Sequence, residues 1–218
     1  MTESEIDIDV FIPTLKKRTN GLLCNVHTVL NSGLNVRVTV SIPDESYPDL
    51  MDGLTDREKA CIRIIPNVPQ GEPSIPIKHC VENVEWAEWL YMIADDDCIL
   101  PWALQHLWNA RKGVAMVMGQ VIGTSRKDHL DFSGWKIGLS ITECHVSTAM
   151  YNTKRLQELP KPWYEIDPLS DYKFIKKFSD HFPHKIIPSV VHVQAFAELS
   201  NLSPDFCADF YRIYGRLL

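Results

Sequence analysis

Several signatures that would assign this chain quickly are missing. Its six cysteines stand at 24, 61, 80, 98, 144 and 207, and no two are spaced CxxC. That excludes a zinc ribbon and a thioredoxin-type redox site, so reduced, partly buried thiols are expected. No apolar run approaches the ~20 residues a membrane helix needs. The acidic opening MTESEIDIDV lacks the apolar core of a signal peptide. A soluble, cytoplasmic protein is the expectation. No Lys/Arg-rich block occurs beyond Lys16-Lys17-Arg18 and Lys173–Lys177, and the formal charge is −6. Strong non-specific nucleic-acid binding is therefore not expected, although a local basic groove is compatible with an acidic average. The GxxxxGK[ST] motif of P-loop phosphotransferases is absent, as are internal repeats and low-complexity tracts.

What is present is a core-forming composition: 45% hydrophobic and 23% charged residues over 218 positions, enough for one generous domain. Short apolar runs alternate with helix-like segments. Strands are expected at Val10–Thr14, Val36–Ile42, Cys61–Ile65 and Glu88–Ala94. Helices are expected at Leu22–Asn31 (with Gly33 as its C′ residue), Asp49–Lys59 and Ile77–Ala87. Pro101 suits the first turn of a further helix, whose apolar stripe at 103, 104, 107 and 108 closes at Gly113. The second half reads as a strand at Val114–Ile122, an irregular stretch from Gly123 to Leu139, helices at 153–159 and 167–178, a strand at Ile186–Gln194 and a C-terminal helix opened by Ser203-Pro204. Strand–helix alternation predicts an α/β protein with a mixed, mostly parallel sheet flanked by helices. In such sheets ligands bind at the carboxyl ends of strands.

One of those ends carries three carboxylates. In YMIADDDCILPWAL, spanning Tyr91 to Leu104, an apolar run delivers Asp95, Asp96 and Asp97 with no cation in the next few residues. A solvated acidic cap on the helix at 101–111 is the plainest explanation. An EF-hand fails, because Leu100 and His106 occupy the positions of its glycine and bidentate glutamate. A polymerase palm would turn straight into a second strand, whereas Pro101 and a helical stripe follow. The remaining reading is a strand-end DxD holding Mn²⁺ or Mg²⁺, which in turn holds a diphosphate. Such ions take one or two protein carboxylates alongside substrate phosphates.

VFIPTLKKRTNGLLCNVHTVLNS, then VRVTVSIPDES, then MIADDDCILPWAL resemble the nucleotide-binding half of a GT-A fold glycosyltransferase of the family 2 type. The resemblance covers residues 8–110, and 140–200 more loosely. It implies a single GT-A-like domain over 1–218, with a nucleotide-sugar half at about 8–112 and an acceptor half at about 113–218. It also implies a metal-dependent, inverting enzyme using a UDP-sugar. Pro13 and Thr14 match the family's base-contacting turn. Asp44 matches the uracil-holding turn, although Pro43 and Glu45 replace the family's Asp and Gly. Lys78 lies near a basic residue that contacts the nucleotide, and Asp95, Asp96 and Asp97 match the DxD. SDYKFIKKF resembles the helix start that supplies the catalytic base. Asp171 takes that position, with Ser170 replacing the usual Glu and Asp167 as a competing base. His192, in VVHVQ, matches a third metal ligand beside Asp97.

The acceptor is not legible. Trp135, Lys136 and His145 are the candidates for its site, which makes a small molecule, a glycan or hydroxymethylated DNA conceivable acceptors. The QxxRW signature of processive synthases is absent. Two other readings of the acidic cluster stay open: a nucleotidyltransferase using two metals, and a nucleotide-sugar-binding module without catalysis.

Overall fold

The computed structural model describes residues 6–14, 19–42, 52, 54–66, 68, 74–95, 97–123, 136–138, 146–165 and 170–194. The chain begins with strand β1 (Ile8–Pro13), helix α1 (Thr19–Leu30), strand β2 (Val36–Ser41), a four-residue helix α2 (Asp56–Lys59), β3 (Ile62–Ile65), α3 (Ser74–Asn83) and β4 (Trp89–Met92). After the aspartates come β5 (Cys98–Ile99), α4 (Ala103–Ala110), β6 (Met116–Gly123) and β7 (Lys136–Gly138). A 3₁₀ turn at Val146–Thr148 leads into β8 (Ala149–Asn152), α5 (Thr153–Glu158), α6 (Ser170–His181) and β9 (His184–Gln194). The C-terminal helix expected at Ser203-Pro204 lies outside the described residues.

The sheet runs in the order β3-β2-β1-β4-β8-β6-β9-β5, with β7 also on β6. β1, β2, β3 and β4 are mutually parallel, as is the β6–β9 pair. β8, β5 and β7 pair antiparallel. The alternation of side chains explains the two layers. Ile8, Val10 and Ile12 of β1, with Trp89 and Tyr91 of β4, pack toward α1 and α4. Phe11, Leu90 and Met92 face α3 and α6, against Ile77, Cys80, Phe174 and Phe178. A strand buried on both faces reads as a nearly continuous apolar run, which is why IDVFIP and WLYM were recognisable. Among the described residues no helix is long and apolar enough to cross a membrane. Burial pushes the Cys80 thiol up to about 12, so it stays protonated.

Several expected boundaries move. Of the helix expected at Asp49–Lys59, residues 49–51 and 53 lie outside the described residues; α2 starts after Thr55, which forms a capping box with Glu58: the Thr55 hydroxyl accepts from Glu58 N, and the Glu58 carboxylate accepts from Thr55 N. α3 ends at Asn83, short of Ala87, because the Ala87 N–H donates to the buried Asp9 carboxylate at 2.7 Å and redirects the chain into β4. α4 begins at Ala103, two residues after Pro101. Trp102 stays in the turn and its indole N–H donates to the Val190 carbonyl at 2.9 Å. Gly33 does adopt the left-handed conformation (φ 75°), but in the turn after α1.

The register of β6 on β9 shifts at Gly119. A Cβ there would sit 2.2 Å from Val191 Cγ1 and 2.8 Å from the Ser189 carbonyl oxygen. Gly119→Ala is therefore expected to destabilise the fold by about 1–3 kcal/mol, the usual cost of overpacking. Urea denaturation should show a lower midpoint with an unchanged slope.

Candidate functional site

The carboxyl ends of β1, β2 and β4 lie along one edge of the parallel sheet, and the turn after β4 is built against them. Thr14 continues β1: its N–H donates to the Ser41 carbonyl of β2 at 3.2 Å, and its hydroxyl donates to Asp95 Oδ2 at 2.8 Å. Both side chains are buried. Pro13, at the end of β1, fixes the approach of Thr14.

The backbone of the same turn is clamped from α1. Asn25 is fully buried in the Leu22–Val26–Val29 face of that helix. Its side-chain amide donates to the Asp97 carbonyl and accepts from the Ile99 N–H, each at 2.9 Å. This pairing substitutes for a missing strand neighbour. Beyond it, Leu100 N–H donates to the Val191 carbonyl of β9 at 2.9 Å.

That contact brings His192 to the aspartates. β5 pairs antiparallel with β9, with Ile99 opposite His192 and Cys98 opposite Val193. Asp97 precedes Ile99 by two residues and shares its face, so Asp97 and His192 are diagonal neighbours. His192 Nε2 lies 3.8 Å from Asp97 Oδ2, and the imidazole is entirely buried. One carboxylate and one imidazole suit Mn²⁺ if substrate phosphate oxygens complete the shell. Among the described residues no group of three or more His, Cys, Asp and Glu can hold a metal without such help. The donor set thus fits an ion that arrives with a diphosphate better than a permanently caged one.

The 3₁₀ turn Val146–Thr148 lies across from Asp97. Ser147 donates its hydroxyl to Asp97 Oδ2 at 3.2 Å, and its carbonyl accepts from the Tyr91 hydroxyl at 2.6 Å. Burial, then the nearby carboxylate of Asp97, pushes the Tyr91 phenol well above its ordinary value. Tyr91 therefore stays neutral and able to donate. One residue earlier, Val146 N–H donates to Asp171 Oδ2 at 3.2 Å. Asp171 stands in the first turn of α6, and its other oxygen accepts from the buried Tyr164 hydroxyl.

Of the residues singled out in the sequence, the structure gathers Thr14 with Asp95, Asp97 with His192, and Asp171 one short turn away. Lys78 forms an ion pair along α3 with Glu82 at 2.8 Å. Burial pushes the Glu82 carboxyl up, but hydrogen bonds from Lys78 and from the Trp163 and Tyr164 N–H groups outweigh it and leave the carboxyl below its usual value. Asp44, Asp96, Asp167, Trp135 and His145 lie outside the described residues, and of Lys136 only its backbone in β7 is described. Asn25, Ser147, Tyr91 and Tyr164 were missed. Asn25 left one trace, a polar residue inside an otherwise apolar helical stripe.

No protein-family model matches the chain, and the comparison with curated protein sequences finds no match. Solved structures do match in fold. S. aureus TarS residues 1–349 superpose with a TM-score of 0.60 at 13% identity, over 87% of this chain and 60% of that one. The TarS 1–349 complex with UDP gives 0.61 at 13% identity, over 86% of this chain and 60% of that one. The complex with UDP-GlcNAc gives 0.59 at 13%, over 86% and 58%. The chain thus spans about three fifths of the length of these TarS chains. Its fold is the GT-A-like α/β arrangement expected from the sequence, a mixed sheet flanked by helices, shared with TarS.

Proposed function

We propose that the chain is a metal-dependent glycosyltransferase that moves a sugar from a nucleoside-diphosphate sugar, a UDP-sugar in our reading, to an acceptor hydroxyl with inversion. The observation that carries this is the juxtaposition at one sheet edge of the buried Thr14–Asp95 hydrogen bond with the Asp97–His192 pair 3.8 Å apart. The fold it shares with TarS, solved with UDP and with UDP-GlcNAc, supports it.

In this reading Pro13, Thr14, Asp44 and Lys78 serve the nucleoside, with Asp95 and Asp96 toward its ribose. Asp97 and His192 hold Mn²⁺ or Mg²⁺. When bound, that cation would offset the negative charge gained by the leaving diphosphate. Asp171 is the general base, with Asp167 as the competing choice. The acceptor oxygen attacks the anomeric carbon from the face opposite the diphosphate. Its proton passes to the Asp171 carboxylate as the bond to the diphosphate oxygen breaks. One displacement without a covalent intermediate gives inversion. Asp171 is suited to this task because hydrogen bonds from Val146 and Tyr164 fix the orientation of its carboxylate. The acceptor in our reading is a small molecule or glycan bound by the second half of the chain, with Trp135, Lys136 and His145 as contacts.

UDP is expected to raise the melting temperature only when Mn²⁺ or Mg²⁺ is present. At 100 times its Kd it adds about 2.7 kcal/mol. Asp97→Ala and His192→Ala should abolish that metal-dependent part. An equal shift in EDTA would remove the metal from the proposal. The released product separates the reaction classes: UDP from a UDP-sugar, or pyrophosphate from a nucleoside triphosphate if the site serves nucleotidyl transfer.

Asp171→Asn should leave the UDP shift unchanged and lower kcat and kcat/KM together by ~10²–10⁴, the usual contribution of a general base. Loss of turnover in Asp167→Asn but not in Asp171→Asn would transfer the base role. Assays at two salt concentrations identify the acceptor class: transfer to a glycoside should vary little with salt, and transfer to hydroxymethylcytosine DNA should fall steeply.

A further inference from the structure

Between the two carboxylates given separate tasks above lies a segment with no assigned task. The turn Val146–Thr148 is buried at all three residues. It touches Asp97 through the Ser147 hydroxyl and Asp171 through the Val146 N–H. The two contacts lie on adjacent residues, joined through one planar peptide unit and the Val146 and Ser147 torsions. Because the turn is buried at all three residues, a backbone adjustment that re-aims Ser147 is passed on to Val146. The turn is anchored on its other face by Tyr91, whose hydroxyl bonds the Ser147 carbonyl at 2.6 Å. It is anchored more weakly by Tyr151, whose hydroxyl lies 3.5 Å from the Val146 carbonyl.

We propose that Ser147 is a positioning residue that transmits occupation of the Asp97 end of the site to the Asp171 carboxylate through the Val146 N–H. The inference rests on the donor-site reading given above. Its geometric basis is that Asp97 Oδ2 is shared: the oxygen that accepts from Ser147 at 3.2 Å is also the one 3.8 Å from His192 Nε2. Any ligand drawn to the carboxylate and imidazole therefore competes with, or re-aims, the Ser147 hydrogen bond. At 3.2 Å that O–H···O bond is longer than the usual 2.5–3.0 Å. The Val146–Asp171 bond, also 3.2 Å, is at the outer limit for N–H···O. The Val146 bond thus has room to tighten when Ser147 is re-aimed, as catalytic hydrogen bonds commonly do when substrate binds. Tyr164 holds the far oxygen of Asp171, so a tighter Val146 bond turns the carboxylate about a fixed point instead of displacing it.

The reporter is the exchange rate of the single Val146 amide, followed by NMR with UDP and diamagnetic Mg²⁺ as the probe. In the unaltered protein, UDP with Mg²⁺ should slow this exchange. Asp171→Ala should remove the slowing, because the acceptor is gone. Ser147→Ala, at a UDP concentration that saturates the variant, should remove it although UDP is bound. Tyr91→Phe touches neither carboxylate and frees the same turn. It should have the same effect, and it carries the test if Ser147→Ala does not fold. A residue that only stabilises the fold would lower the melting temperature and leave the ligand-induced slowing intact. Slowing that persists in Ser147→Ala, or UDP binding without any change at Val146 in the unaltered protein, overturns this inference alone. Failure of UDP to bind at all overturns the donor-site reading and this inference with it.

Discussion

The site depends on how the chain is held as it leaves β4. A parallel strand ends in mid-air, and here its last residues carry carboxylates that repel one another. The turn is restrained from three directions: by the Asn25 amide across the backbone of residues 97–99, by the Thr14 hydroxyl on Asp95, and by β9 through the Leu100–Val191 hydrogen bond. The Asn25 contribution is the most demanding. It satisfies a carbonyl and an N–H that lie among buried residues, and leaving either unmade costs roughly 1–3 kcal/mol. With the backbone clamped, the turn sets where Asp95 and Asp97 stand at the strand end.

The opposite end of the sheet handles a buried carboxylate differently. Asp9, fully buried on β1, receives a two-pronged contact from Arg37 at 2.8 and 2.7 Å, with Arg63 at 3.5 Å, the Thr39 hydroxyl at 3.1 Å and the Ala87 N–H at 2.7 Å. Strand register makes this possible, because Asp9 is opposite Arg37 and Thr39 is opposite Arg63. The paired guanidinium groups make Asp9 a structural tie among β1, β2, β3 and the entry to β4. Among the described residues, Asp95 meets the Thr14 hydroxyl, and Asp97 meets the Ser147 hydroxyl and the His192 ring.

The proposed acceptor side follows from the same edge. β8 enters antiparallel between β4 and β6, so the turn preceding it arrives beside the end of β4. That topology brings Ser147 to Asp97 and Val146 to Asp171 although they are 50 and 25 residues apart in the chain. The two halves of the proposed reaction are thus joined by three buried residues and not by a flexible linker.

By itself the sequence determined β1 to β4, helices between them and α4, because apolar runs and helical stripes are local patterns that register which faces are buried. It also displayed the acidic run Asp95–Asp97, since three adjacent aspartates with no Lys or Arg in the next few positions are visible in one line. It marked His192 and Asp171 only through resemblance to a family. Tertiary structure alone decided that His192 reaches Asp97, because that depends on the pairing of a two-residue strand, β5, whose length carries no periodic signal. It alone decided the roles of Asn25, Ser147, Tyr91 and Tyr164, because each acts through a hydrogen bond to a residue distant in sequence or to a backbone atom. It also cut α3 short at Asn83, where the pull of a buried carboxylate 78 residues away on the Ala87 N–H outweighed helix propensity. Periodicity reports only a segment's own faces, whereas these contacts depend on what the folded sheet brings against them.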